Sequence, residues 1–105
     1  MKLITKEIKR LVDSNKKRKP KDRLPYLKLF NPVGSATWLI SEYDESNGLL
    51  YGLCDLGLGF PELGYVGLDE LESIELPLGM KIERDIHWTP EKSVVKYLDE
   101  IREGL

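Results

Sequence analysis

"ATWLISEYDESNGLLYGLCDL", residues 36–56, decides the fold. Residues 36–43 and 49–56 are rich in β-branched, aromatic and aliphatic side chains, and Asp44-Glu45-Ser46-Asn47-Gly48 lies between them. Asn-Gly accepts the positive φ angles of a tight turn, so the stretch reads as a β-hairpin. In its first strand Trp38 and Ile40 point one way and Thr37, Leu39 and Ser41 the other.

Outward from the hairpin, "YLKLFN" (26–31) reads as a preceding strand, closed by a turn at Pro32-Val33-Gly34-Ser35. "GYV" (64–66) reads as a short strand. Asp69 is expected to cap a short helix ending near Ile74, with Glu72 at its third position. Residues 80–88, "MKIERDIHW", alternate as a strand: Ile82, Arg84, Ile86 and Trp88 on one face, Lys81, Glu83, Asp85 and His87 on the other. Thr89-Pro90-Glu91 opens a last helix, with proline where its missing N–H costs nothing, and Val94, Leu98, Ile101 and Leu105 form its stripe. At the other end residues 2–13 read as a helix with Ile4, Ile8 and Leu11 at helical spacing. The reading is therefore α+β: an antiparallel sheet of four or five strands, with N- and C-terminal helices packed on one face.

Charge divides the chain. Residues 1–23 carry ten Lys/Arg and three Asp/Glu, a balance of +7, whereas residues 24–105 carry six and fifteen, a balance of −9. The split sets a basic N-terminal helix and lysine-rich linker (1–23) apart from a single α+β domain (24–105). Lys16, Lys17, Arg18, Lys19 and Lys21, broken by Pro20, are too charged to pack and form the candidate nucleic-acid-binding segment. The acidic remainder argues against a broad nucleic-acid surface and suits a protein partner.

Within the 105 residues no apolar run reaches the ~18 needed for a membrane span, and the apolar stretch after Met1 is too short for a signal peptide. Cys54 is the single cysteine, so neither a disulfide nor a cysteine-based metal cluster forms within the chain, and its apolar setting predicts a buried, inert thiol. These features point to a cytoplasmic protein of bacterial or phage type.

Five of the nine glycines fall within residues 52–72, "GLCDLGLGFPELGYVGLDELE". A phosphate-binding loop would require Lys and Ser/Thr after its last glycine, or a third glycine where Glu62 stands. Asp55 and Glu62 would repel a phosphate, and no Lys or Arg occurs from residue 29 to 80. The glycines instead permit bulges and positive φ angles, with Phe60, Pro61, Glu62 and Leu63 folding onto the sheet or forming a partner-binding tip at Phe60, Pro61 and Glu62.

The strings "KLFNPVGSATWLISE" (28–42), "GLCDLGLGFPELGYVGLDELESI" (52–74) and "IERDIHWTP" (82–90) resemble the bacterial domain-of-unknown-function family 2958. The resemblance spans roughly residues 26–98. It implies a small protein of plasmids, phages or integrated mobile elements, and points to no established activity. Its motif positions are Asn31, Pro32, Trp38, Asp55, Gly57, Pro61, Glu62, Arg84, Asp85 and His87.

Catalytic signals are sparse. No Gly-x-Ser-x-Gly elbow accompanies His87, the one histidine. Arg84 on an apolar face needs a partner, and Asp55 or Glu62 is the expected one, as a brace for the glycine loop. Were the chain an enzyme, Asp55, Glu62, Arg84, Asp85 and His87 would be its centre. Glu83, Asp85 and His87 share a strand face, but alternate strand residues stand ~6–7 Å apart. Neither metal nor cofactor is expected. The leading expectation is a non-enzymatic interaction or regulatory protein of a mobile element, binding a protein partner through its acidic surface and the 57–64 loop. The alternatives are a nucleic-acid accessory protein using residues 16–21, and a small enzyme on the five residues just named. The aromatics Trp38, Tyr43, Tyr51, Phe60, Tyr65 and Trp88 are expected mostly in the core.

Overall fold

The computed structural model describes residues 2–104. Its first helix, α1 (Lys6–Ser14), starts later than the periodicity predicts, because the Thr5 hydroxyl accepts the Ile8 amide at 3.2 Å and so caps it. Leu3 and Ile4 precede the helix and are buried. Two single 3-10 turns follow, Asn15–Lys17 and Pro20–Asp22.

Strands β1 (Leu27–Phe30), β2 (Thr37–Asp44), β3 (Leu49–Asp55) and β4 (Glu62–Gly67) form an antiparallel meander. Helix α2 (Leu68–Ser73) leaves β4, and the chain then crosses to the far edge as β5 (Glu83–Arg84), beside β1. Helix α3 (Val94–Glu103) closes the fold. The sheet order is β4-β3-β2-β1-β5. The α+β class, the antiparallel sheet of four or five strands and the terminal helices that the sequence predicts are present, with five strands.

The placement of those helices is corrected. Leu27, Leu29, Trp38, Ile40 and Leu50 turn to one face, where Ile4, Ile8, Leu68 and Leu71 pack over them. Leu39 and Leu53 turn to the opposite face, where Val94 and Leu98 of α3 cover them. The helices thus lie on both sides, not on one. The reason is β2: Trp38, Leu39, Ile40 and Ser41 are buried in succession, so both of its faces must be covered.

Three local readings also shift. Helix α2 begins at Leu68 after Gly67, not after Asp69, since the Leu68 amide is held by the Gly48 carbonyl at 2.9 Å. Helix α3 is capped by Ser93, whose hydroxyl accepts the Lys96 amide at 3.2 Å, so Pro90 lies ahead of it. The strand expected over 80–88 shrinks to Glu83–Arg84, because Asp85 Oδ1 accepts the His87 amide at 3.0 Å and bends the chain. Leu105, assigned to the last helical stripe, lies outside the described residues.

The basic N-terminal segment is docked on the sheet. Asn15, 1% exposed, donates Nδ2 to the carbonyls of Leu24 and Ser41, both at 2.8 Å, and its Oδ1 accepts the Leu24 amide at 3.0 Å. Ser41 is the residue at which the β2–β3 register slips. At this slip Asn15 Nδ2 supplies the Ser41 carbonyl with a side-chain donor.

Candidate functional site

At one end of the sheet the β3–β4 connection, residues 56–61, projects as a built loop. The Asp55 carboxylate accepts the Gly57 amide at 3.0 Å. Gly57 and Gly59 take φ of +77° and +86°, values that side chains resist. Ser35, from the β1–β2 turn, fills the space where a Gly57 Cβ would stand, its hydroxyl oxygen 1.9 Å from that point. Pro61 is buried, and Arg102 of α3 donates to its carbonyl at 3.4 Å.

That frame turns Leu58 and Phe60 out of the core; they are 72% and 82% exposed. Leu56 beside them and Val33 on the neighbouring turn are also exposed. The expectation that the apolar side chains of this turn fold onto the sheet is therefore corrected for Phe60. Only Pro61 is buried and Leu63 half-buried. The alternation of glycine with large apolar residues in "GLGF" (57–60) is the signal: positive φ at Gly57 and Gly59 breaks the strand alternation that would turn Leu58 or Phe60 inward. Of the predicted tip residues, Phe60 and Glu62 are exposed and Pro61 anchors the loop.

The five-residue constellation does not assemble. Arg84 lies on β5 and Glu62 on β4, the two edges of the sheet, separated by four strand spacings or about 19 Å. Asp55, on β3, is about 14 Å from β5 on the same count. Arg84 is half-buried and donates Nη1 to the carbonyl of Lys2 instead. Sequence reasoning could not foresee this, because it needs the strand order.

Arg84, Asp85 and His87 do share an open groove of about 640 Å³ with Lys28, Asn31 and Ser35. Asp85 lies 3.8 Å from the Lys28 ammonium, which in turn sits 5.0 Å from the Trp88 ring centre. The hydrogen bond joining Asp85 to His87 uses the His87 amide, and the imidazole is exposed. Among the described residues no group of three His, Cys, Asp or Glu side chains is gathered as a metal would require. Cys54 is half-buried on β3; burial and the nearby Glu62 carboxylate push its thiol pKa up, which lowers its reactivity.

All five cationic side chains of the basic segment are exposed. Lys16 reaches Asp13 at 3.8 Å, and Arg18 donates to Asn15 Oδ1 at 3.3 Å. Beside them lies a feature the residues alone do not reveal, a cleft of about 410 Å³ between the end of α1 and the β2–β3 hairpin. Its charges are paired across the chain: Lys9 with Glu45 at 2.9 Å and Arg23 with Glu42 at 3.0 Å. On its wall the Tyr51 and Tyr65 rings meet at a tilt of 56°, their centres 4.8 Å apart, and Tyr65 is 68% exposed. Tyr65 and Phe60 thus depart from the expectation that the aromatics lie in the core.

No described helix is long and apolar enough to cross a membrane. The sequence model of a family described as "Protein of unknown function (DUF2958)" matches residues 3–104, nearly the whole chain. No curated protein and no solved structure matches it.

Proposed function

The chain belongs to the DUF2958 family, and from that premise we propose that it is a non-enzymatic interaction protein which binds a protein partner through the 56–60 tip and the acidic surface around it. The observation that carries this reading is the tip itself. Leu58 and Phe60 are held out in water by a loop fixed at both ends. Exposed apolar side chains on a constrained loop, rimmed by Asp55 and Glu62, have the make-up of an interface centre with a polar rim. The mobile-element setting and a cytoplasmic location, which the family resemblance and the composition suggest, belong to the same proposal.

The test is affinity capture from cells that carry the gene, with wild-type protein beside a Leu58→Asp/Phe60→Asp variant, followed by mass spectrometry. A partner recovered by the wild type and lost by the variant is the expected result. A set of captured proteins that the variant leaves unchanged overturns the reading.

A second reading rests on the exposure of Lys16, Lys17, Arg18, Lys19 and Lys21. These side chains suit weak, non-specific contact with nucleic acid, which salt would dissolve steeply through counterion release. Salt-resistant, sequence-selective binding in a gel-shift titration would place this reading first.

A further inference from the structure

Strand β4 is an unprotected edge. It pairs with β3 from Glu62 to Gly67, and among the described residues no strand lies on its other side. Among the described residues, no backbone–backbone hydrogen bond outside the sheet involves residues 62–67. The opposite edge, β5, is only two residues long, which is one common way to blunt an edge. The six residues of β4 lack the other usual safeguards: they contain no Lys and no Pro, and their single charge, Glu62, stands at the first position. Alternate N–H and C=O groups along such a strand point outward and can pair with an incoming strand.

Charge selects the occupant. Residues 29–80, which include β2, β3, β4 and α2, hold nine acidic residues and no Lys or Arg. Beyond Gly67, Asp69 and Glu70 are exposed, and a Glu70 carboxylate oxygen lies 2.8 Å from where a Gly67 Cβ would stand. At the other end Glu62 shares a small hollow with Arg102, so the charge there is near balance. Two copies of the chain joined antiparallel along β4 would set the Asp69–Glu70 end of one against the charge-balanced Glu62–Arg102 end of the other, with no net attraction to gain. A cationic strand gains one at Asp69 and Glu70. Tyr65, mid-strand, exposes a ring whose face attracts Lys or Arg.

We propose that β4 accepts an extended segment of a partner protein as a sixth strand, with Lys or Arg side chains set against Tyr65 and the Asp69–Glu70 carboxylates. Main-chain hydrogen bonds to the free edge supply the affinity, and the acidic end supplies the selectivity. This rests on the reading of the chain as a protein-binding module, and names the mode of binding and the chemistry of the bound segment.

The probes are three capped eight-residue peptides: alternating Lys and Val, alternating Glu and Val, and the Lys/Val peptide with alternate amides N-methylated. Each is added at millimolar concentration to the full chain, with binding read by anisotropy and site by hydrogen exchange. The Lys/Val peptide is expected to protect amides within residues 62–67, and Asp69→Asn/Glu70→Gln to weaken it by about fivefold. Equal binding of the Glu/Val or N-methylated peptide, protection elsewhere, or no protection overturns the proposal. So does concentration-dependent dimerisation of the free protein that itself protects 62–67, which would assign the edge to a second copy. The two readings fail separately. Loss of a captured partner in the Leu58→Asp/Phe60→Asp variant without peptide protection of β4 leaves the tip reading standing and removes this one. Protection of β4 with capture unaffected by the tip variant does the reverse.

Discussion

Replacing Asn15 by Ala tests how the N-terminal segment is tied to the sheet. The side chain makes four hydrogen bonds: to the carbonyls of Ser41 and Leu24, from the Leu24 amide, and from Arg18. The Ser41 bond is fully buried, at the register slip between Ile40 and Glu42. Stranding that carbonyl costs ~1–3 kcal/mol, and the two half-buried Leu24 contacts add ~1 kcal/mol each. Arg18 is exposed and can turn to water, so its bond is set aside. The expected loss is about 4 kcal/mol, a large part of the stability of a domain this size. At ~4–8 °C per kcal/mol this lowers Tm by roughly 15 °C or more. Urea unfolding followed by tryptophan emission gives the value, since Trp38 is buried in the core that α1 covers. The midpoint should fall while the slope m stays unchanged. A loss below about 1 kcal/mol would refute the argument, for it would mean that water satisfies Ser41 and Leu24 as well as Asn15 does.

Gly57→Ala should destabilise by at least the ~1–2 kcal/mol of a left-handed alanine, with added strain from the Ser35 contact; a Ser35→Gly/Gly57→Ala double variant should recover only the second part, and simple additivity in that cycle would deny the contact. Leu58→Asp and Phe60→Asp should leave Tm within a few degrees of wild type, because both side chains are already in water; a large drop would show that they are packed after all. The thiol of Cys54 should alkylate slowly in the native state at pH 8 compared with a free thiol. Its pKa is higher folded than unfolded, so the unfolded chain releases its proton first. Stability is complete below ~8.5 and declines as pH rises beyond it, and Cys54→Ala should flatten that decline. An alkaline limb that is unchanged in Cys54→Ala would exclude this origin.

The hairpin at 36–56, the meander around it, the late fifth strand and the terminal helices are legible in the sequence, because each depends on local periodicity and turn chemistry. Asn47-Gly48 marks the turn whichever way the sheet is covered, and the stripes of α1 and α3 mark two helices whatever they cover. The helix starts at Thr5, Gly67 and Ser93 are not legible to the residue, since several nearby residues can cap and tertiary contacts choose among them. What the sequence leaves open is which elements meet. Arg84, Asp55 and Glu62 look like one site along the chain, yet strand order sets Arg84 and Glu62 at opposite edges and Asp55 on the interior strand β3. Asn15 reads as the end of a helix, and becomes the anchor of a segment only because the fold brings the Leu24 and Ser41 carbonyls to it. "GYV" reads as a short strand, and only its place at the end of the sheet order makes β4 a free edge. Local interactions reach a few residues and write themselves in spacing. Pairing, register and edges are set by contacts between residues far apart in sequence, whose free energies no single stretch carries.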